Sequence, residues 1–241
     1  MRKVLAIATA WLILGAVQVS AQIIHLLQYD PYYVLPSKTG AKGVDLGLST
    51  IEISSIGDAA DIYLMGKYSA SDRIEAGIRF TFGFLNDARN TFSSLTLGGK
   101  YGLKEHSAVI ANLLAPAGDA DDPGLSLGYM HSLKLGSGIT ANNLLAIGLL
   151  DGYTGGAGIA LHLFLEPYKE LGEKMVFYLD VPINANTDNI GDTLNIDLAP
   201  NVDYILAEGM ALNAGIGLNA YNGIKRSSDL GVTVTFIKSM E

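Results

Sequence analysis

The sequence predicts an all-β fold, a closed antiparallel up-and-down transmembrane β-barrel of about twelve strands, and three observations carry that expectation. The first is Arg73 to Phe84, RIEAGIRFTFGF, in which Ile74, Ala76, Ile78, Phe80, Phe82 and Phe84 alternate with Arg73, Glu75, Gly77, Arg79, Thr81 and Gly83. Successive side chains of a strand leave opposite faces, so this period of two gives one apolar face and one charged face. Soluble strands commonly stop near 5 or 6 residues, whereas a tilted membrane-crossing strand needs about 9–11. The second observation is that similar segments recur along the whole chain. The third is that the breaks between them alternate between short and long.

Composition bounds the function classes. The chain has 241 residues, 49% apolar, yet no run of about 18 uninterrupted apolar residues follows its N-terminal segment. Hydrophobicity spread thinly in this way is what alternating strands produce and spanning helices do not. A formal net charge of −8 lacks the basic footprint that nucleic-acid binding requires. Without cysteine there are no disulfides, thiolate metal sites or lipoprotein anchor.

Residues 1–21 read as a secretory signal peptide: Arg2 and Lys3 begin it, Val4 to Val17 are mostly apolar, and Val19-Ser20-Ala21 offers a cleavage site. Its removal leaves the mature chain two charges more acidic. Residues 22–40, interrupted by Pro31 and Pro36, fit a periplasmic tail, a lumen plug or an added edge strand equally well. Residues 41–241 read as the barrel. Strands are expected at roughly 43–54, 60–70, 73–84, 92–103, 107–116, 124–134, 138–150, 156–166, 174–184, 193–206, 210–221 and 229–238. Val109 to Leu114 and Leu144 to Leu150 are apolar on both faces, so a buried run or a helix stands as an alternative for the fifth and seventh.

Loop lengths give the orientation. SASD at 69–72, LKEH at 103–106, KLGSG at 134–138 and LAEGM at 206–210 are expected as periplasmic turns. LNDARNT at 85–91, PAGDADDPG at 116–124, NANTDNIGDT at 184–193 and NGIKRSSD at 222–229 are expected outside, and EPYKELGE at 166–173 is long for an inside turn. Tyr68, Tyr101, Tyr204 and Phe236 then share outward positions near the periplasmic ends, as an interfacial girdle does, with Phe84 and Phe92 at the other end.

GVTVTF at 231–236 resembles the assembly signal that outer-membrane barrels present to their insertion machinery, although Ile237 to Glu241 extend past its terminal aromatic. The mature chain as a whole resembles a bacterial outer-membrane β-barrel. Leu114-Ala115-Pro116-Ala117-Gly118-Asp119, with Ala199-Pro200-Asn201 and Tyr204, is similar to the transporter barrels named after the MetA pathway of phenol degradation. That resemblance covers residues 80–238 and implies uptake of small compounds, aromatic ones among them.

Inward positions decide what such a barrel does. Lys67, Glu75, Arg79 and Lys100 fall on the second to fourth strands, and Asp180, Asp197 and Asp203 on the ninth and tenth, nearly opposite. This arrangement predicts a basic wall facing an acidic one across a constriction. The alternative is local neutralisation among Asp61, Arg73, Glu75 and Arg79. Gly156 and Gly158 are among the glycines expected to face inward, leaving room or serving strand bending. His106-Ser107 and His131-Ser132 are adjacent and so point to opposite faces, which does not suit a catalytic pair. His131 is expected outward and His162 inward; neither has the spacing of a metal site. The aspartates of 119–122 and 188–192 lack the pattern of a dedicated calcium loop. The expectation is therefore a channel or transporter for small solutes in the outer membrane of a Gram-negative-type bacterium, contacting lipid and lipopolysaccharide. It needs no cofactor or metal and carries out no catalysis. A non-conducting structural or surface-binding barrel, and a lipid-modifying enzyme, are the competing readings.

Overall fold

A computed structural model describes residues 42–54, 57–83, 92, 94–104, 106–117, 122–208, 210–222 and 230–240. The expected signal peptide, residues 22–40, Phe84 and the aspartates of 119–121 lie outside them. The described residues form twelve strands: β1 (Lys42–Ser54), β2 (Gly57–Ser71), β3 (Ile74–Gly83), β4 (Ser94–Lys104), β5 (Ser107–Ala115) and β6 (Gly124–Gly136) come first. They are followed by β7 (Ile139–Leu149), β8 (Ala160–Glu170), β9 (Met175–Asn186), β10 (Asn195–Ala207), β11 (Met210–Asn222) and β12 (Leu230–Met240). Two one-turn helices, α1 (Asp151–Thr154) and α2 (Ile190–Thr193), sit in connections. Every strand pairs antiparallel with its sequence neighbours, as the expected up-and-down order requires. β12 also pairs with β1, from Lys42↔Met240 to Glu52↔Gly231, so the hydrogen-bonded order runs round as a closed barrel. No edge is left there with unpaired backbone groups.

The alternation sorts as the pattern requires. On β4, Leu97, Tyr101 and Leu103 are exposed while Ser94, Thr96 and Lys100 are buried. On β3, Ile74, Ile78 and Phe82 are exposed while Glu75, Arg79 and Thr81 are buried. This inverts the distribution of a water-soluble domain, and it resolves the two ambiguous segments. β5 and β7 are strands: Val109, Leu113, Leu145 and Ile147 face out, and Ala108, Ile110, Leu114, Leu144 and Ala146 face in. They read as apolar on both sides because part of the barrel's interior is apolar.

At one end the connections are 72–73, 105–106, 137–138, 171–174 and 208–209; at the other they are 55–56, 84–93, 116–123, 150–159, 187–194 and 223–229. The long inside turn expected at 166–173 does not exist, because β8 continues to Glu170. β8 also starts four residues later than expected. Gly156 and Gly158 have φ of 108° and 78°, which no strand residue adopts, so neither is an inward strand glycine. Pro167 and Pro182 have no N–H to give, and the ladders skip beside them: β8–β9 from Leu165↔Val181 to Tyr168↔Tyr178, β9–β10 from Ile196↔Ile183 to Ala199↔Asp180. Register is unchanged across both gaps. Tyr68, Tyr101 and Tyr204 are exposed near the short-turn end, and Phe92 packs against Phe80 and Phe82 at the other, with ring centroids 6.5 and 5.6 Å apart.

Candidate functional site

All seven charged residues expected to face inward do so: Glu75, Arg79, Lys100, Asp197 and Asp203 are buried, and Lys67 and Asp180 half-buried. β3 and β9 are six places apart in the ring, so the basic and acidic groups occupy opposite sectors. Within each sector the local chemistry differs from a bare wall of charge.

In the β2–β4 sector Glu75 and Lys100 are direct cross-strand partners, and Lys100 Nζ lies 3.1 Å from Glu75 Oε1. Ser69 Oγ donates to the other carboxylate oxygen at 3.4 Å. Glu75 is thus neutralised from β4 by a lysine that was expected to stand as part of the basic wall. Four residues further along β3, the Arg79 guanidinium carbon is 4.1 Å from the centre of the Tyr63 ring on β2, a cation–π arrangement. The Tyr63 hydroxyl is itself tied to Thr235 Oγ1 at 3.0 Å, which fixes the ring. Beside Arg79, Thr81 pairs with Ser94 and Arg79 with Thr96, giving a row of three buried hydroxyls along the basic sector.

The β9–β11 sector is built from aspartates held by asparagine amides. Asn201 Nδ2 donates to Asp180 at 2.8 Å. Asn195 and Asn219 each donate to one oxygen of Asp197, both at 2.6 Å. Asn213 Nδ2 and the Tyr178 hydroxyl donate to Asp203 Oδ1 at 2.8 and 3.2 Å. A carboxylate that accepts several N–H or O–H groups can stay ionised away from bulk water. Only Asn201 was named from the sequence, within the Ala199-Pro200-Asn201 resemblance, and none of the four was read there as a partner of an aspartate. The same period of two that placed the aspartates would have found them, had uncharged amides been counted.

Between these sectors lies an apolar one, where Ala108, Ile110, Met130, Leu144, Ala146 and Phe164 of β5–β8 pack together inside the barrel. Gly128 makes that contact possible: a Cβ there would come within 2.8 Å of Leu144 Cδ1. At its border the His162 ring stacks near Phe164, centroids 6.3 Å apart, and Nδ1 is hydrogen-bonded to Asn184 Oδ1. Glu166, which stood where the expected strand 156–166 met the expected turn 166–173, is buried within β8 and accepts from Asn142 Nδ2 at 2.9 Å. Among the described residues no group of three or more His, Asp or Glu is placed to hold a metal ion.

The connection 150–159 reaches over the long-loop end. Leu150, at φ 69°, turns the chain into α1, and Gly152 N donates to Pro123 O at 3.0 Å. Asn186 Nδ2 holds the far side through Thr154 O and Ala157 O at 2.8 and 2.9 Å, and Ile159 pairs with Thr187. Tyr153 is thereby buried, hydrogen-bonded to Ser126 on β6 and within the field of Arg79. Burial drives its phenol well above the usual tyrosine range, so it is a neutral hydrogen-bonding group. It packs on Gly124, where a Cβ would come within 2.7 Å of the ring.

No known family model matches the sequence, and neither does any curated protein. Solved structures do match. An outer membrane channel from Pseudomonas putida F1 superposes with a TM-score of 0.62 at 13% identity, over 88% of this chain and 100% of that one. The KdgM porin in complex with disordered oligogalacturonate gives 0.61 at 7% identity, over 83% and 99%. The CymD monoaromatic hydrocarbon channel gives 0.50 at 10% identity, over 94% of each. The resemblance to outer-membrane β-barrels is borne out: the chain has the fold of these channels.

Proposed function

We propose that the protein is an outer-membrane channel through which small solutes pass by passive or facilitated diffusion, without a cofactor and without catalysis. The observation that carries this is the inversion of polarity. Apolar side chains cover the outside of the sheet, and ionised and amide side chains line its inside, which suits lipid around the barrel and solute within it. The closed order from β1 to β12 supports a twelve-stranded barrel, and the loop lengths support an orientation with the short turns in the periplasm. Arg79, with Asp180, Asp197 and Asp203 across from it, forms the selectivity-determining constriction. Lys67, Lys100 and Glu75 hold the basic sector together. Export by a cleaved signal peptide and assembly through residues 231–236 complete the reading.

The solute class proposed within that reading is one with an apolar body. The likeness to a monoaromatic hydrocarbon channel and the sequence resemblance to phenol-degradation transporter barrels are consistent with such a solute. Proteoliposomes loaded with dextran test this by their swelling rate. Small solutes carrying an apolar ring should enter faster than sugars of equal mass. Equal rates would remove the narrower reading, and no swelling from inserted protein would remove the channel.

A further inference from the structure

The connection 150–159 is held unlike the strands it joins. Of its residues Tyr153 alone is buried, and α1 places that ring inside the barrel. Its hydroxyl is hydrogen-bonded to Ser126, an inward residue of β6, and it lies within the field of Arg79 on β3, three strands away. Gly124, Leu114, Thr96 and Arg79 are successive cross-strand partners from β6 to β3, so the seat of the ring and the guanidinium share one rung of the ladder. The backbone around Tyr153 is fastened by neutral hydrogen bonds: Gly152 N to Pro123 O, Asn186 Nδ2 to Thr154 O and Ala157 O, and Ile159 with Thr187 at the base. Both flanks are left-handed. Leu150 has φ 69°, which an L side chain rarely adopts, and Gly155, Gly156 and Gly158 have φ of 68°, 108° and 78°.

We propose that 150–159 is a lid on the lumen, with Tyr153 as its latch, and that a solute passes only when the ring swings out of its seat between Gly124 and Ser126. One side chain carries the burial of the whole segment, so unseating one ring frees it. The turn at Leu150 and the glycines at 155, 156 and 158 lie on either side of the latch, where φ and ψ can change without moving β7 or β8. Leaving the left-handed region relieves Leu150, which offsets part of what unseating Tyr153 costs. Neutral hydrogen bonds such as those of Asn186 each shift an equilibrium by roughly two- to twelvefold, so the closed state is favoured without being locked. Because the seat shares a rung with Arg79, the latch and the constriction occupy one cross-section of the barrel. The inference rests on the channel reading of the preceding subsection and names what gates it.

The chain has no cysteine, so a tether can be added cleanly. Tyr153 Cγ lies 3.0 Å from where a Gly124 Cβ would stand, which puts the two Cβ atoms no more than about 4.5 Å apart, within disulfide reach. Gly124→Cys with Tyr153→Cys should therefore cross-link in the inserted protein, and single-channel recording reads the effect. Insertion is checked first by heat-modifiable gel mobility. Reduced, the double variant should stay open longer than the wild type, because it has lost the ring. Oxidised, it should lose roughly tenfold or more in open time, and dithiothreitol should restore it. Tyr153→Cys alone should not respond to oxidant. Equal open times in the oxidised and reduced double variant would overturn the lid. So would thiols that stay free under oxidant, since residues 124 and 153 would then not meet. Asn186→Ala keeps the ring and cuts two ties, so it should raise the open fraction by roughly fivefold, and no change would count equally against the lid. No conductance from inserted wild type, reduced double variant and Asn186→Ala alike would overturn the channel reading itself, and the lid with it.

Discussion

Glu75 and Lys100 show how much a single buried pair constrains this barrel. Both are almost wholly buried and lie 3.1 Å apart, so either charge alone would be left without its counter-ion in a low-dielectric wall. Lys100→Met or Glu75→Gln should each cost about 3–5 kcal/mol, while the double substitution should recover most of that loss. Denaturation of vesicle-inserted protein, followed by circular dichroism, reads the cycle; additive losses would mean that the pair is not coupled. Asn213 offers the amide counterpart. It donates to Asp203, so Asn213→Ala should cost about 1–3 kcal/mol by the same measurement. An Asn213→Asp variant should fare worse, because it places a second acceptor against Asp203 where a donor stood.

At the scale of elements, the period of two made most of the fold legible. Ile78 and Phe82 outward against Arg79 and Thr81 inward follow from alternation alone. Leu97→Arg, on the lipid-facing side of β4, should therefore destabilise the inserted barrel by about 2–4 kcal/mol, and the fraction that folds into vesicles reads it. Boundaries were less legible where glycines continue an apparent alternation into a loop. Gly156 and Gly158 keep the strand's parity but have positive φ, and parity does not reveal a backbone angle. The other end of the same strand hid Glu166, which stood at the junction of the expected strand 156–166 and turn 166–173, while β8 runs on to Glu170. The connection 150–159 was illegible for another reason: its ties run to Pro123, Asn186 and Thr187, and nothing local in the sequence names such partners. Gly124→Val should drive Tyr153 from its seat and make 150–159 the first segment cut by limited proteolysis. Unchanged cleavage would show that the ring does not hold the loop.

For the molecule as a whole, the sequence placed charges of opposite sign in opposite sectors, and the structure adds an apolar sector and a layer of amides between and around them. Charge was easy to see because an inward arginine or aspartate stands out against the outward leucines. The apolar sector was hidden, since leucines on both faces of β5 and β7 look alike in sequence and are told apart only by which side the sheet turns inward. This composite lining is why Arg79, packed on Tyr63 and near Tyr153, rather than Lys100, bound to Glu75, is the cation expected to set ion preference. The most direct measurement of that claim is the reversal potential of single channels in a planar bilayer under a salt gradient, wild type against Arg79→Glu. A channel constricted at Arg79 will show discrete conductance steps, and the variant's reversal potential will shift toward cation selectivity. Identical reversal potentials in two folded, conducting proteins would contradict a constriction at Arg79, and the absence of steps from inserted wild-type protein would contradict the channel itself.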